Sequence, residues 1–261
     1  MKAVFVPAAL GWLAALVAGC DTSEPLTLPN EATPATVARV GESKKLDLAL
    51  CAPGRGGFTL VGTNPWFPLE VGRQLVLEGE EDGETITMQL TVLDRTRVIE
   101  GVVTRVVEER EFVDGELSEV TWNYHVQASD GTICYYGEDV DVYEEDGITH
   151  DGAWCPGGDN PAGIIMPADP KPGIEYQNEV APGIALDEAR IVGTGPVTVP
   201  FGRFTNTIRI RESNPLTGEK DYKVHAFGVG IIVDGLLELT EVNQTTGSPD
   251  LPEVTVQQCG S

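Results

Sequence analysis

Residues 119–128 read EVTWNYHVQA, and their alternation decides the fold class. Val120, Trp122, Tyr124 and Val126 fall on one side of an extended chain, with Thr121, Asn123, His125 and Gln127 on the other. A period of two is what a half-buried strand imposes, because successive side chains leave opposite faces of the pleat. The pattern recurs in ETITMQLTVL (84–93), where Ile86, Met88, Leu90 and Val92 oppose Thr85, Thr87, Gln89 and Thr91. Asp-Gly pairs follow at 82–83, 114–115, 130–131, 146–147 and 234–235. They supply the positive φ angles of tight hairpin turns. Repeated hairpins predict an all-β protein built as an antiparallel meander. Only ALDEARIV (185–192) leaves room for a helical turn.

A Pro/Gly-rich stretch, PGGDNPAGIIMPADPKPG (156–173), interrupts the meander and carries the apolar triplet Ile164, Ile165 and Met166. Exposed, such a triplet invites association. The expectation is a loop that plugs one open side of a curved sheet.

Lys2 is followed by the apolar run AVFVPAALGWLAALVAG, which closes on small residues before Cys20. That is the layout of an export signal rather than a membrane span. LVAGC resembles the bacterial lipobox, which implies cleavage before Cys20 and its acylation; an ordinary signal peptide is the alternative. More than one acyl chain gives stable anchoring, so the membrane is an expected partner and the cell envelope, outside the cytoplasmic membrane, the expected location. The organisation that follows is a signal peptide at 1–19, an anchor and flexible tether at 20–45, one β domain at 46–242 and a polar tail at 243–261.

Forty-one acids against 17 bases give a net charge of −24. Such a chain repels nucleic acid, which binds basic patches. The acidity fits a salty medium or an affinity for cations.

Four further cysteines, Cys51, Cys134, Cys155 and Cys259, form an even set without a C-x-x-C pair. In an exported chain this predicts disulfides rather than a thiolate metal site. With EEDG (144–147) as a turn, facing residues sum to about 291, which puts Cys134 and Cys155 on one face with Val140, Val142 and Ala153. A Cys134–Cys155 staple is therefore expected, leaving Cys51 for Cys259. The other face of that hairpin gathers Tyr135, Asp139, Asp141, Tyr143, His150 and Trp154, joined by Trp122 and Tyr124 across a short SDGT turn. Trp122, Tyr124, Tyr135 and Trp154 are the candidate ligand face. Asp139, Asp141 and His150 are candidate ligands for a divalent cation, against the simpler reading of a stapled acidic hairpin.

Other chemistry is thin. Ser118 and Ser129 lack the glycine-framed elbow of hydrolases, and PGRGG (53–57) lacks the Lys-Ser/Thr of a phosphate loop. Glu108, Glu109 and Glu111 with Arg105 and Arg110 read as a solvated strand surface. His125 and His225 read as solitary strand histidines.

The blocks NPWFPLEVG (64–72), YYGEDVDVY (135–143), DGAW (151–154), PAGIIMPADPKPG (161–173), VPFGRFTN (199–206) and AFGVGIIVD (226–234) occur in this order. Together they resemble a widespread family of secreted bacterial proteins and lipoproteins with no assigned activity. The last blocks are also similar to the periplasmic lipoprotein carriers, a resemblance that implies a strongly curved, open half-barrel. No catalytic residue comes with either resemblance.

The expected function is a lipid-anchored, non-catalytic binding or scaffold module that presents a concave β face to an apolar or amphipathic ligand, without a cofactor. The alternatives are a divalent-cation-binding envelope protein using Asp139, Asp141 and His150, and a hydrolase of unrecognised type.

Overall fold

The computed structural model describes residues 43–256, 258 and 259. The signal segment, Cys20 and the tether up to residue 42 lie outside the described residues. The first strands are β1 (Lys44–Lys45), β2 (Arg73–Glu81), β3 (Glu84–Ile99), β4 (Val102–Val113), β5 (Glu116–Gln127) and β6 (Ile133–Glu144). Short strands follow: β7 (Gly147–Thr149), β8 (Gly163–Met166) and β9 (Ile174–Gln177). The last seven are β10 (Glu188–Thr194), β11 (Val197–Val199), β12 (Gly202–Phe204), β13 (Thr207–Ser213), β14 (Lys220–Ala226), β15 (Gly230–Asp234) and β16 (Leu237–Gln244). The protein is all-β, as the alternation predicts.

β2 to β6 form the expected meander, each antiparallel to the next. β16 returns to pair with β2, so one sheet runs β1-β9-β10-β13-β14-β15-β16-β2-β3-β4-β5-β6-β7. β1 pairs with β9 in parallel, which brings the last residues of the expected tether into the sheet. ALDEARIV forms no helix; most of it is β10.

The sheet curls strongly. Phe67 sits between His125 of β5 and His225 of β14, with ring centroids 5.0 and 6.3 Å away. Those strands stand six places apart in the sheet, so only a curled sheet brings them to one ring. The far ends also approach. A Cβ on Gly163 of β8 would lie 1.7 Å from the carbonyl oxygen of Asn178, just past β9. No ladder joins β8 to β9, and the barrel stays open.

Ile164 and Met166 are buried in β8, which pairs with β6. The Pro/Gly-rich stretch thus closes one side of the sheet as an added strand, while the NPWFP segment fills the interior through Phe67.

Two features set which face each residue takes. Opposite Tyr124 alone, β6 places both Tyr136 and Gly137: His125 pairs with Tyr135, but Asn123 pairs with Glu138. This is a β-bulge. Gly137 is required there, since its φ is +90° and a Cβ would lie 2.2 Å from Trp154 O. The bulge inverts the alternation, so Cys134 and Asp139 share the outer face although their numbers differ in parity. The second feature is a turn at 150–153, closed by Ala153 N–H donating to His150 O. Val142 faces Thr149, a sum of 291 as expected, whereas Glu138 faces Trp154, a sum of 292.

These two shifts overturn the expected cysteine pairing. The disulfides are Cys51–Cys134 and Cys155–Cys259. Cys155 lies beside Gly137, three residues along β6 from Cys134. At ~3.3 Å per residue that is roughly 10 Å, beyond the ~7 Å a disulfide spans. Cys134 instead meets Cys51 beneath the Leu48–Cys51 turn, where Tyr136 Oη donates to Cys51 O at 2.6 Å. Val140, Val142 and Ala153 do cluster as expected, but without either cysteine.

Candidate functional site

On the outer face of β4–β6 the acids bind the protein's own chain. Glu108, Asp139 and Asp141 are 1%, 0% and 0% exposed. Asp139 Oδ1 accepts from the backbone N–H groups of Gln258 (2.7 Å) and Cys259 (3.1 Å), and Oδ2 from Tyr124 Oη. Asp141 Oδ2 accepts from Thr255 N–H at 2.7 Å, and its Oδ1 lies 3.0 Å from His150 Nδ1. Glu108 accepts from Trp122 Nε1 (3.0 Å) and Asp250 N–H (3.2 Å), with Arg110 3.6 Å away. Burial raises the Glu108 pKa, and these donors and Arg110 oppose it. Arg110 donates to Pro252 O, and Arg95 forms a paired contact with Glu253 while stacking 4.6 Å over Trp122. Residues 250–256, 258 and 259 are thereby strapped across the sheet and sealed by Cys155–Cys259.

The candidate cation ligands are placed by this strap. Asp141 and His150 meet, but both oxygens of Asp139 already take donors, so an ion there must displace the tail. The one cluster of potential metal ligands within 4.8 Å of one another among the described residues is Asp139, Cys155 and Cys259. Its two sulfurs are joined in a disulfide, so they offer no thiolate. The four candidate ligand-face aromatics are all buried and divide between the faces. Trp122 and Tyr124 lie under the strap. Tyr135 and Trp154 point inward, ring centroids 5.3 Å apart.

The inner face is different. Cross-strand register puts Leu90 of β3 opposite Glu109 of β4, and Asn123 of β5 opposite Glu138 of β6. From the other wall, Lys223 of β14 lies 3.4 Å from Glu212 of β13 and 3.1 Å from Asp234 of β15. Glu179 and Asp187, between β9 and β10, complete the group. These side chains are half-buried, enclosed by the curled sheet yet still touched by solvent. Acids outnumber bases here, and burial together with their mutual repulsion shifts their protonation. Burial pushes Glu109 up to about 8, with Lys223 opposing and Glu119, Asp234 and Glu138 adding to it. Burial raises Glu138 to about 7. Glu179 is raised well above the carboxylate range by burial, Glu138 and Asp187, and burial raises Asp187 and Glu212 as well. Burial alone would lower Lys223, but Asp234, Glu212 and Glu109 hold it well above the usual lysine range. His125 and His225 are buried neutral, lowered to about 3 and about 4.

Several polar atoms on this face have no partner among the described residues: besides His125 Nδ1 and Trp154 Nε1, they belong to Asn178 and Tyr176. Asn178 is 3% exposed; its Nδ2 donates to Glu212 Oε1 at 2.8 Å, while its Oδ1 has no partner among the described residues. Tyr176 is 1% exposed, and its hydroxyl has none either. Tyr135 Oη lies 2.6 Å from Asn123 Oδ1 and 2.7 Å from Glu138 Oε2. One hydroxyl proton serves one acceptor, so either Asn123 turns its NH₂ inward or Glu138 donates as the neutral acid.

Beside this floor lies a small apolar recess of about 50 Å³, walled by Phe67, Leu75, Leu90, Val92, Val107 and Ile231. A second cavity, about 130 Å³, lies near β1 among Lys45, Glu175, Glu188, Arg190 and Arg211, whose charges mostly pair with one another.

The inner-face group escaped the sequence. Glu109 was expected on a solvated surface with Glu108 and Arg110, yet the last two are buried outside and the first faces the interior. Glu138, Glu179, Asp187, Glu212, Lys223 and Asp234 lie on five segments whose meeting depends on the curl. The available signal was that acids occupy both parities of β4, so one set had to face inward.

The fold and site define an open, curled β-sheet with an acidic interior face. No family model, curated protein or solved structure matches the chain.

Proposed function

We propose that this protein is a non-catalytic binding module, held at the cell envelope by an acylated Cys20, whose concave face takes an amphipathic ligand. The carrying observation is that an apolar wall and a polar floor adjoin on one inner face: Leu90 lines the recess and its cross-strand partner is Glu109. Ligand sites combine apolar walls with a few convergent polar groups. The recess accommodates only part of a ligand, and the remainder lies along the open side of the sheet. Support for the anchor is the LVAGC sequence.

Native mass spectrometry of the full chain extracted from its own membranes tests this reading. A bound small amphiphile is expected, lost in Val229→Glu, which sets a charge at the half-exposed rim of the recess. An unliganded mass throughout, with no binding of added amphiphiles, contradicts it. Membrane retention is tested separately: Cys20→Ala is expected to leave the protein unprocessed or to release it.

A further inference from the structure

Resting on that reading, we infer that the polar group this face takes is an organic cation, an alkylammonium or guanidinium, seated among Glu138, Glu179, Asp187 and the amide oxygen of Asn178. The inference starts from donors and acceptors rather than from acidity alone. Lys223 is engaged by Glu212 and Asp234. Asn178 gives its NH₂ to Glu212, which leaves Oδ1 a buried acceptor beside further acceptors. An unsatisfied buried acceptor costs about 1–3 kcal/mol; an N–H or O–H donor satisfies it, and among carboxylates a cationic N–H donor makes the stronger, charge-assisted bonds. Glu179 N–H and Asn178 N–H both donate to Asp187 O, which fixes Asn178, Glu179 and Asp187 as one unit. Glu138 acts on Glu179 from β6.

The chemistry of the acceptors selects the cation. A bare divalent ion needs ligand atoms converging on one point, six to eight oxygens for calcium. Among the described residues no three of these carboxylates bring their oxygens within 4.8 Å of one another. Acceptors spread around a space suit a cation with several N–H bonds pointing apart. Leu90 and Val107, across the floor, give the carbon chain of an alkylammonium an apolar wall to lie on.

The test is isothermal titration of the full mature chain with octylammonium, octanoate and octyl glucoside, at one ionic strength and pH 7.5. Octylammonium is expected to bind at least tenfold more tightly than either of the others. Glu179→Gln, which keeps shape but cannot ionise opposite a bound cation, is expected to weaken octylammonium at least tenfold and to leave octyl glucoside unchanged. Octanoate or octyl glucoside binding as tightly as octylammonium overturns the inference while the amphiphile module stands. If none of the three binds, both fall. A calcium titration that saturates at one ion per chain and disappears in Glu179→Gln overturns it in favour of a metal. Thermal melts of the variant confirm folding, and Asp187→Asn provides a second, independent removal of charge.

Discussion

Glu138 and Asp139 are neighbours in the chain and opposites in circumstance. Asp139 points outward under the strap, fully buried, with three protein donors on its two oxygens. Glu138 points inward, half-buried, sharing one tyrosine hydroxyl among a crowd of other acids. Each face of this sheet holds several enclosed carboxylates, yet they do different work. Outside, buried acids collect backbone N–H groups and fix a tail that has no strand of its own. Inside, acids outnumber donors, and the excess is held by protonation. Buried charge is tolerated only when paired or hydrogen-bonded, so the outer acids are a fastening, and on the function proposed above the inner ones are a receptive surface.

Removing the strap breaks the comparison most severely. A chain ending at Ser248, with Cys155→Ser to avoid a stray thiol, leaves Glu108, Asp139 and Asp141 without their backbone donors. Water can then reach those carboxylates, but the deletion also uncovers Trp122 and Tyr124, at ~1.5–3 kcal/mol for each large apolar side chain. It removes the Cys155–Cys259 link as well, at ~2–5 kcal/mol, against a total stability of ~5–15 kcal/mol. This chain is expected to show no cooperative unfolding transition by circular dichroism. The full-length Cys155→Ser/Cys259→Ser protein keeps the hydrogen bonds and is expected to melt cooperatively at a lower temperature.

The bulge sets which acid faces which way, and Gly137→Ala attacks it. The added methyl meets Trp154 O at 2.2 Å in a backbone conformation that L-residues rarely adopt. A loss of roughly 2–4 kcal/mol is expected in a urea titration, combining strain with a broken bulge. A loss below ~0.5 kcal/mol would show that the bulge relaxes and does not fix the two faces.

A gentler lever is pH. In the folded protein Glu109 titrates at about 8 and Glu138 at about 7, both above the ordinary 4.5. The folded state then holds protons that the unfolded chain has released, so this contribution fades as pH rises through those values. His125 and His225 run the other way: unfolded imidazoles take protons below about 6.5, which the buried rings refuse until about 3 and about 4. Between pH 6.5 and 8 the inner carboxylates dominate. The melting temperature is expected to be lower at pH 8 by at least ~2–4 °C, the shift that about 1 kcal/mol gives a domain of this size. An unchanged or higher value at pH 8 would show that the inner acids are not proton-loaded.

Much of this molecule was legible in its sequence. Alternation in 84–93 and 119–128 predicts the β3 and β5 strands, and the Asp-Gly turns predict their hairpins. The 291 register of the EEDG turn holds as far as Thr149. The cysteine pairing failed at two local shifts: nothing in the sequence announces the bulge at Gly137 or the turn at 150–153, and together they leave Cys155 beside Gly137, too far along β6 from Cys134. Asp139 and Asp141 were rightly singled out as acids on a common face, but their partners are backbone amides more than a hundred residues away, which no side-chain pattern announces. The inner site was hidden for a related reason, since its residues converge only once the sheet curls.

The most direct test is a pair of thermal melts at pH 8, Glu138→Gln beside Asp139→Asn. Each removes one carboxylate charge by an isosteric change at adjacent positions. Asp139→Asn turns an NH₂ toward donors and is expected to lower the melting temperature by several degrees, in keeping with ~1–3 kcal/mol for buried groups left unsatisfied. Glu138→Gln relieves repulsion, keeps a partner for Tyr135, and is expected to leave the melting temperature unchanged or raise it. Equal losses in both variants would contradict the account, because the inner acids would then be fastenings like the outer ones.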